Sequence, residues 1–298
     1  MKFTLSFFSP LTALLFLVIL CSCEVSKKIP PKKIRLPEVL NEASGLRISP
    51  DKKTALLHND SGDGANLYHV NLPDGQIIKT DNLGVTANDW EEICKDDQGR
   101  FYLGDFGNNL GNRALQTIYR FTEATGKTEA INFTYPGQNA AGINVRGNYN
   151  CEAMVYLNNE LHLFTKAISG RRKAYWAYQF KLSAEPGNYV AELVDSLYLP
   201  RRVITGAALD EEKNELVLIS YNYKRWLGFF PAVASSIIRF RNVDGIHFLK
   251  GEMKRKNVSW AIPIQYEAID FYDERFLYIA TEKVPNRRGA FLKRKRRF

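Results

Sequence analysis

A short pattern, an oxygen-bearing side chain two places ahead of an aliphatic one, recurs along this chain and constrains its fold more than any other feature. It reads SGL at 44–46, EEI at 91–93, EAM at 152–154 and EAI at 267–269, with AAL at 207–209 filling the remaining interval. Counted at the first residue, the steps are 47, 61, 55 and 60 residues. That period is too long for a two-helix repeat and suits a unit of several strands. Something is being built five times.

The segments after each copy identify the unit. A turn rich in Asp, Asn or Gly leads to a β-rich run (TALLHND, RFYLGDF, ELHLFTK, ELVLISY, RFLYIAT) and then to a third (NLYHVNL, TIYRFTE, AYWAYQF, SIIRFRN, AFLKRKR). The first four units add a fourth run: GQIIKTD, TEAINFT, YVAELVDSLYL and IHFLKGEM. These segments are rich in Val, Ile, Phe and Tyr, are bounded by turn residues, and show no helical period. Four strands per unit, repeated radially, predict an all-β fold, a five-bladed β-propeller. A sixth blade hidden between Ile93 and Glu152 is the alternative. The fifth unit ends after three runs, while an unpaired run, KKIRLPEVL at 32–40, precedes the first motif. It is expected to supply the missing outer strand as a velcro closure, since a closed ring leaves no sheet edge open.

The first 22 residues read as a signal peptide. Lys2 precedes an apolar run over 3–20, and the small Ser22 ahead of Cys23 suits a bacterial lipoprotein signal, with Cys23 as the lipidated residue. Residues 23–37 read as a Lys/Pro-rich tether and 38–298 as one propeller domain with a basic C-terminal tail. The expected location is the bacterial cell envelope, lipid-anchored, with the outer membrane favoured and the protein a monomer. The formal charge of +9 divides into +1 at Lys2, +4 in the tether and +5 at 293–297, leaving about −1 for the propeller. No nucleic-acid partner is expected, because no basic face interleaved with aromatics runs through the blades. Cys94 and Cys151 are expected as buried free thiols, and no Cys/His spacing suits zinc.

The first strand of each blade lines the central channel, so Ser44, Glu91, Glu152, Ala207 and Glu267 should face one another, while strand alternation turns Glu92 away. Three carboxylates in a narrow tunnel need raised pKa values or a cation between them. An all-oxygen ring favours calcium. The run TANDWEEICKDDQGRFYLGDFGNN, with HNDSGDG, YNCEAM and ITGAAL, resembles a group of bacterial propeller proteins over nearly the whole mature chain. More distantly, the order Ser, Glu, Glu, non-acidic, Glu and the YEAI at 266–269 are similar to the calcium-activated nucleotidases (apyrases). That resemblance implies a five-bladed propeller with Ser44, Glu91, Glu152 and Glu267 as calcium ligands. Ala207 departs from the pattern, and Thr205 or a backbone carbonyl would stand in.

Residues just past the second strands should ring the same mouth. Asn59, Asp60, Asp105, Asn108 and Asn109 gather over blades 1 and 2, and Lys166, Arg171, Arg172, Glu282, Lys283, Arg287 and Arg288 over blades 3 to 5. An anionic ligand bridging a metal and a cationic rim would suit this asymmetry. Asp60 and Asp105 are the candidates to orient water, and Asn59, Asn108, Asn109, Lys166, Arg171 and Lys283 the candidates to hold substrate. Two functions are consistent with this arrangement: a calcium-dependent hydrolase of phosphoesters or nucleotides, or a non-catalytic module for a glycan, peptide or protein of the envelope. Other signals fail. Val70 stands where an EF-hand loop beginning at Asn59 needs Glu, and neither GxSxG nor a Walker motif occurs.

Overall fold

The computed structural model describes residues 29–138, 149–166, 176–226, 230–259, 264–283 and 289–298. Cys23 and the signal segment, Arg171, Arg172, Arg287 and Arg288 lie outside the described residues. The described residues form five sheets, each antiparallel through its first four strands from the inner strand outward. The inner strands are Ala43–Ile48, Trp90–Lys95, Cys151–Leu157, Val203–Asp210 and Tyr266–Phe271. Each touches the next, and the fifth touches the first, which closes a five-bladed propeller.

Closure is made by the strand Lys33–Arg35, which pairs with Phe291–Arg296 as the fourth strand of blade 5. Ile34, Leu36 and Leu40 behind it are buried in the core shared by blades 1 and 5. This strand of blade 5 lies ahead of residue 38, because alternate aliphatics there have a core to fill. The basic run at 293–297 is correspondingly the third strand of blade 5 for most of its length, not a free tail. In blade 4 the outer strand is Glu252–Asn257, whereas Phe248–Lys250 forms a 3₁₀ turn. The apolar IHFLK run misleads because Phe248 and Leu249 are buried by packing beside blade 3 rather than by pairing. A strand from the blade 3 segment, Gly187–Val190, adds in parallel to the outer edge of blade 2.

Cys94 and Cys151 are buried free thiols. The imidazole of His162, on the second strand of blade 3, is fully buried, and burial lowers its pKa to about 4. The unfolded value is higher, near 6.5, so the unfolded chain takes the proton first. The His162 contribution should be complete above about pH 6.5 and fall away, by up to about 3 kcal/mol, as pH drops to about 4, and His162→Gln should remove that contribution from the pH profile in urea titrations.

Candidate cation site at the channel mouth

Every inner strand carries a β-bulge at the same level. The register skips one residue in each blade: Gly45, Glu91, Glu152, Thr205 and Glu267. A bulge sets two residues of one strand against one of its partner and re-aims the extra side chain. This is the physical content of the recurring pattern, and it corrects the frame in two blades. Thr205, not Ala207, stands level with the glutamates, and Gly45 rather than Ser44 is the extra residue of blade 1. Gly45 has φ +62°, and the His58 ring fills the space a Cβ would take.

The bulge also corrects the expectation for Glu92. Its side chain is fully buried, and Oε2 accepts a hydrogen bond of 2.7 Å from the amide of Ala207 in blade 4, while Oε1 accepts from Ile93 N at 3.0 Å. Burial raises its pKa well above the usual range, against the pull of those two amides and of Arg47. Beyond it, Arg47 pairs with Asp270 at 2.8 Å.

On the mouth side of Glu92 the carboxylates converge. Ser44 Oγ donates to the Glu91 carbonyl at 2.7 Å and Thr205 Oγ1 to the Tyr266 carbonyl at 2.8 Å, so the two hydroxyls tie neighbouring inner strands together. Among Glu91, Glu152 and Glu267 stands Lys166, whose Nζ lies 2.8 Å from Glu152 Oε1. Burial opposes its charge, but Glu152, Glu267 and Glu91 outweigh that and hold the ammonium protonated. Burial nevertheless lifts Glu152 to about 7. Lys166 is thus an internal cation of the ring, tied to a carboxylate rather than held out toward substrate.

Beside it, Asp60, Asp89 and Glu91 bring one oxygen each within 4.8 Å of one another. Oxygen ligands at 2.3–2.6 Å from one calcium lie up to about 5 Å apart, so the spacing suits that ion. Burial, then a hydrogen bond and repulsion from Asp89, lift Asp60 to about 8. Burial and the charges of Glu152 and Asp60 likewise raise Glu91. The backbone of Gly107 lies directly against the Asp89 and Glu91 carboxylates, where any Cβ would collide with both. A cavity of about 430 Å³, lined by Asn41, Glu42, Asp60, Ser61, Glu282 and Lys283, shares Asp60 with the cluster. Burial and Glu267 raise Glu282 to about 8.

The remaining candidates divide by what they touch. Asp105 has no exposed surface; Arg113 holds its Oδ1 at 2.9 Å, and the amides of Asn88 and Asp89 donate to its carboxylate at 3.3 and 3.1 Å. It fixes the loop that carries Asp89. Asn59 Nδ2 donates to Val39 O and Asp63, both at 2.7 Å, and braces its own loop. Asn108 N donates to Asn150 Oδ1 at 2.5 Å. Asn150 Nδ2 in turn donates to Asn109 Oδ1 at 3.0 Å and Glu152 Oε1 at 2.6 Å, so these asparagines orient Glu152. Lys283 borders the cavity, half-exposed. The sequence pattern does not mark Asp89, and it shows Gly107 only within the triplet Asp105-Phe106-Gly107, which resembles that of kinases without their other motifs. The only signal was an Asp two places before Glu91 and a Gly two places after Asp105.

No protein-family model matches the chain, and no curated protein sequence matches it. Solved structures do. An α-L-arabinanase of Penicillium chrysogenum, solved with arabinobiose, is similar at TM-score 0.53 and 8% identity, over 90% of this chain and 98% of that one. An endo-arabinase of Bacteroides thetaiotaomicron gives TM-score 0.50 and 12% identity over 91% and 96%. A gluconolactonase of Xanthomonas campestris gives 0.45 and 12% over 88% and 88%. The likeness to the two arabinanases is one of fold at such identities, and the fold it supports is the β-propeller.

Proposed function

We propose that the channel mouth binds calcium and that the protein is a calcium-dependent phosphoester hydrolase of the bacterial envelope, anchored through Cys23. The observation that carries the reading is the Asp60, Asp89 and Glu91 cluster, whose Asp60 lines a polar cavity. Three carboxylates and no thiol make a hard, all-oxygen donor set, which favours calcium over zinc. A bound calcium would polarise a phosphoryl oxygen and an attacking water. Lys283, at the cavity rim, supplies a cationic contact to a second phosphate oxygen. Glu282, lifted to about 8, is protonated at neutral pH and suited to give its proton to the leaving oxygen as the ester bond breaks.

One observation favours a second reading, a non-catalytic module for an envelope partner. Asp105, Asn59 and Asn108 are occupied in bracing loops, so fewer side chains remain for chemistry.

Calcium should raise the melting temperature, since binding to the folded state alone adds about 2.7 kcal/mol at a hundredfold excess over Kd. Asp89→Asn should abolish that rise. Glu282→Gln should keep it while losing phosphate release from a panel of nucleotides and sugar phosphates. A melting curve indifferent to calcium and chelator, with no metal by elemental analysis, would sink the reading. Calcium binding without turnover would leave the binding module.

A further inference from the structure

Away from the channel, the outer wedge between blades 4 and 5 gathers charge of the opposite sign. On the third strand of blade 4, Arg239 alternates with the buried Ile238 and Phe240 and so shares a face with Ile237, which packs in the core between blades 4 and 5. Lys256 lies opposite Ile237 on the neighbouring strand and Lys254 opposite Arg239. From blade 5, Lys293 and Lys295 lie opposite Ile279 and Leu277, two residues of that same core. The two blades therefore present cations to each other across one seam.

Two of these groups meet at Phe298. Arg239 Cζ lies 5.1 Å from the centre of its ring and Lys256 Nζ 5.3 Å. Arg239 is 5% exposed, and its Nε and Nη1 have no hydrogen-bond partner. The nearby carboxylates are taken up elsewhere: Asp210 and Glu215 bind Arg297 at 2.7 and 3.0 Å, and Glu215 also binds Arg241. Burial and then the charges of Lys293, Lys256 and Lys32 pull Lys295 down to about 8. A buried guanidinium with idle donors is costly to keep unless an anion repays it.

We infer that the seam of blades 4 and 5 is a binding site for a phosphate-bearing anion, held by Arg239, Lys256, Lys293 and Lys295. A planar guanidinium matches two oxygens of a phosphate, and several ammonium groups call for more than the single charge of a carboxylate. The sources of that chemistry are a soluble phosphate compound and the headgroup of an anionic lipid. Lys33, opposite Lys293, extends the charge onto the closing strand.

The test is lysine acylation of the full chain in nanodiscs, read residue by residue by mass spectrometry. A bound phosphate should restore Lys295 toward the ordinary lysine value and slow its acylation at least about tenfold, one pKa unit of lost free amine. Slowing by pyrophosphate in phosphatidylcholine discs assigns a soluble ligand. Slowing by phosphatidylglycerol discs alone assigns the headgroup. Lys256→Gln, at an exposed position, should weaken the protection, and Arg239→Gln should abolish it with the sheet circular dichroism unchanged. No slowing by either probe overturns the site, as does full protection persisting in a folded Arg239→Gln variant.

Discussion

Deleting residues 32–40 is expected to leave no folded monomer. The segment contributes the fourth strand of blade 5 and three side chains, Ile34, Leu36 and Leu40, that are 3%, 3% and 0% exposed. Truncating one buried aliphatic costs about 2–5 kcal/mol, so losing three approaches the about 5–15 kcal/mol of a whole domain. The loss is also topological. Phe291–Arg296 would become an open edge, a template for pairing with a second chain. Urea unfolding with size-exclusion chromatography should show the deleted protein aggregated or edge-paired. Ile34→Ala should remain monomeric and cost about 2–4 kcal/mol. A truncated chain that unfolds cooperatively within about 1 kcal/mol of the full one would mean that the closing strand does not hold the ring.

The ring was legible because each blade solves the same problem with the same residues. Strand-forming runs, turn residues between them and one marked position per unit survive in a single sequence, and so the blade count, the antiparallel order and the closing strand could all be read. The frame of the marked position was less legible. A bulge inserts one residue without a fixed side-chain type, so Thr205 in blade 4 and Gly45 in blade 1 carry no glutamate to betray them. Alternation then misassigned Glu92, because the two-residue period breaks at a bulge. The candidate site shows the same limit. Glu91, Glu152 and Glu267 were visible as a periodic set, whereas Asp89 belongs to a loop and meets Asp60 only through the folding of two blades. Asp105 and Lys166 were noticed for their charge, but their partners, Arg113 and Glu152, are matters of three-dimensional pairing that spacing does not encode.

Arg113→Met should cost about 3–5 kcal/mol, the usual penalty for removing one member of a buried pair, toward the lower end because the arginine is 21% exposed. Its guanidinium holds the Asp105 carboxylate at 2.9 Å and donates to the carbonyls of Asp105 and Gly107, both at 3.0 Å. Without it Asp105, wholly buried, keeps only the Asn88 side chain at 2.8 Å and the two amides. Adding Asp105→Asn should recover part of the loss, since the second change removes the stranded charge, and the double-mutant cycle should give a coupling of at least about 1 kcal/mol. The same guanidinium fixes the two loops that place Asp89 and Gly107, so calcium should also stabilise the single variant less than it stabilises the parent. Urea unfolding with and without calcium measures both effects. Additive single changes, or an Arg113→Met cost under about 1 kcal/mol, would show that Asp105 is held by its backbone donors alone and that the cation cluster does not depend on this pair.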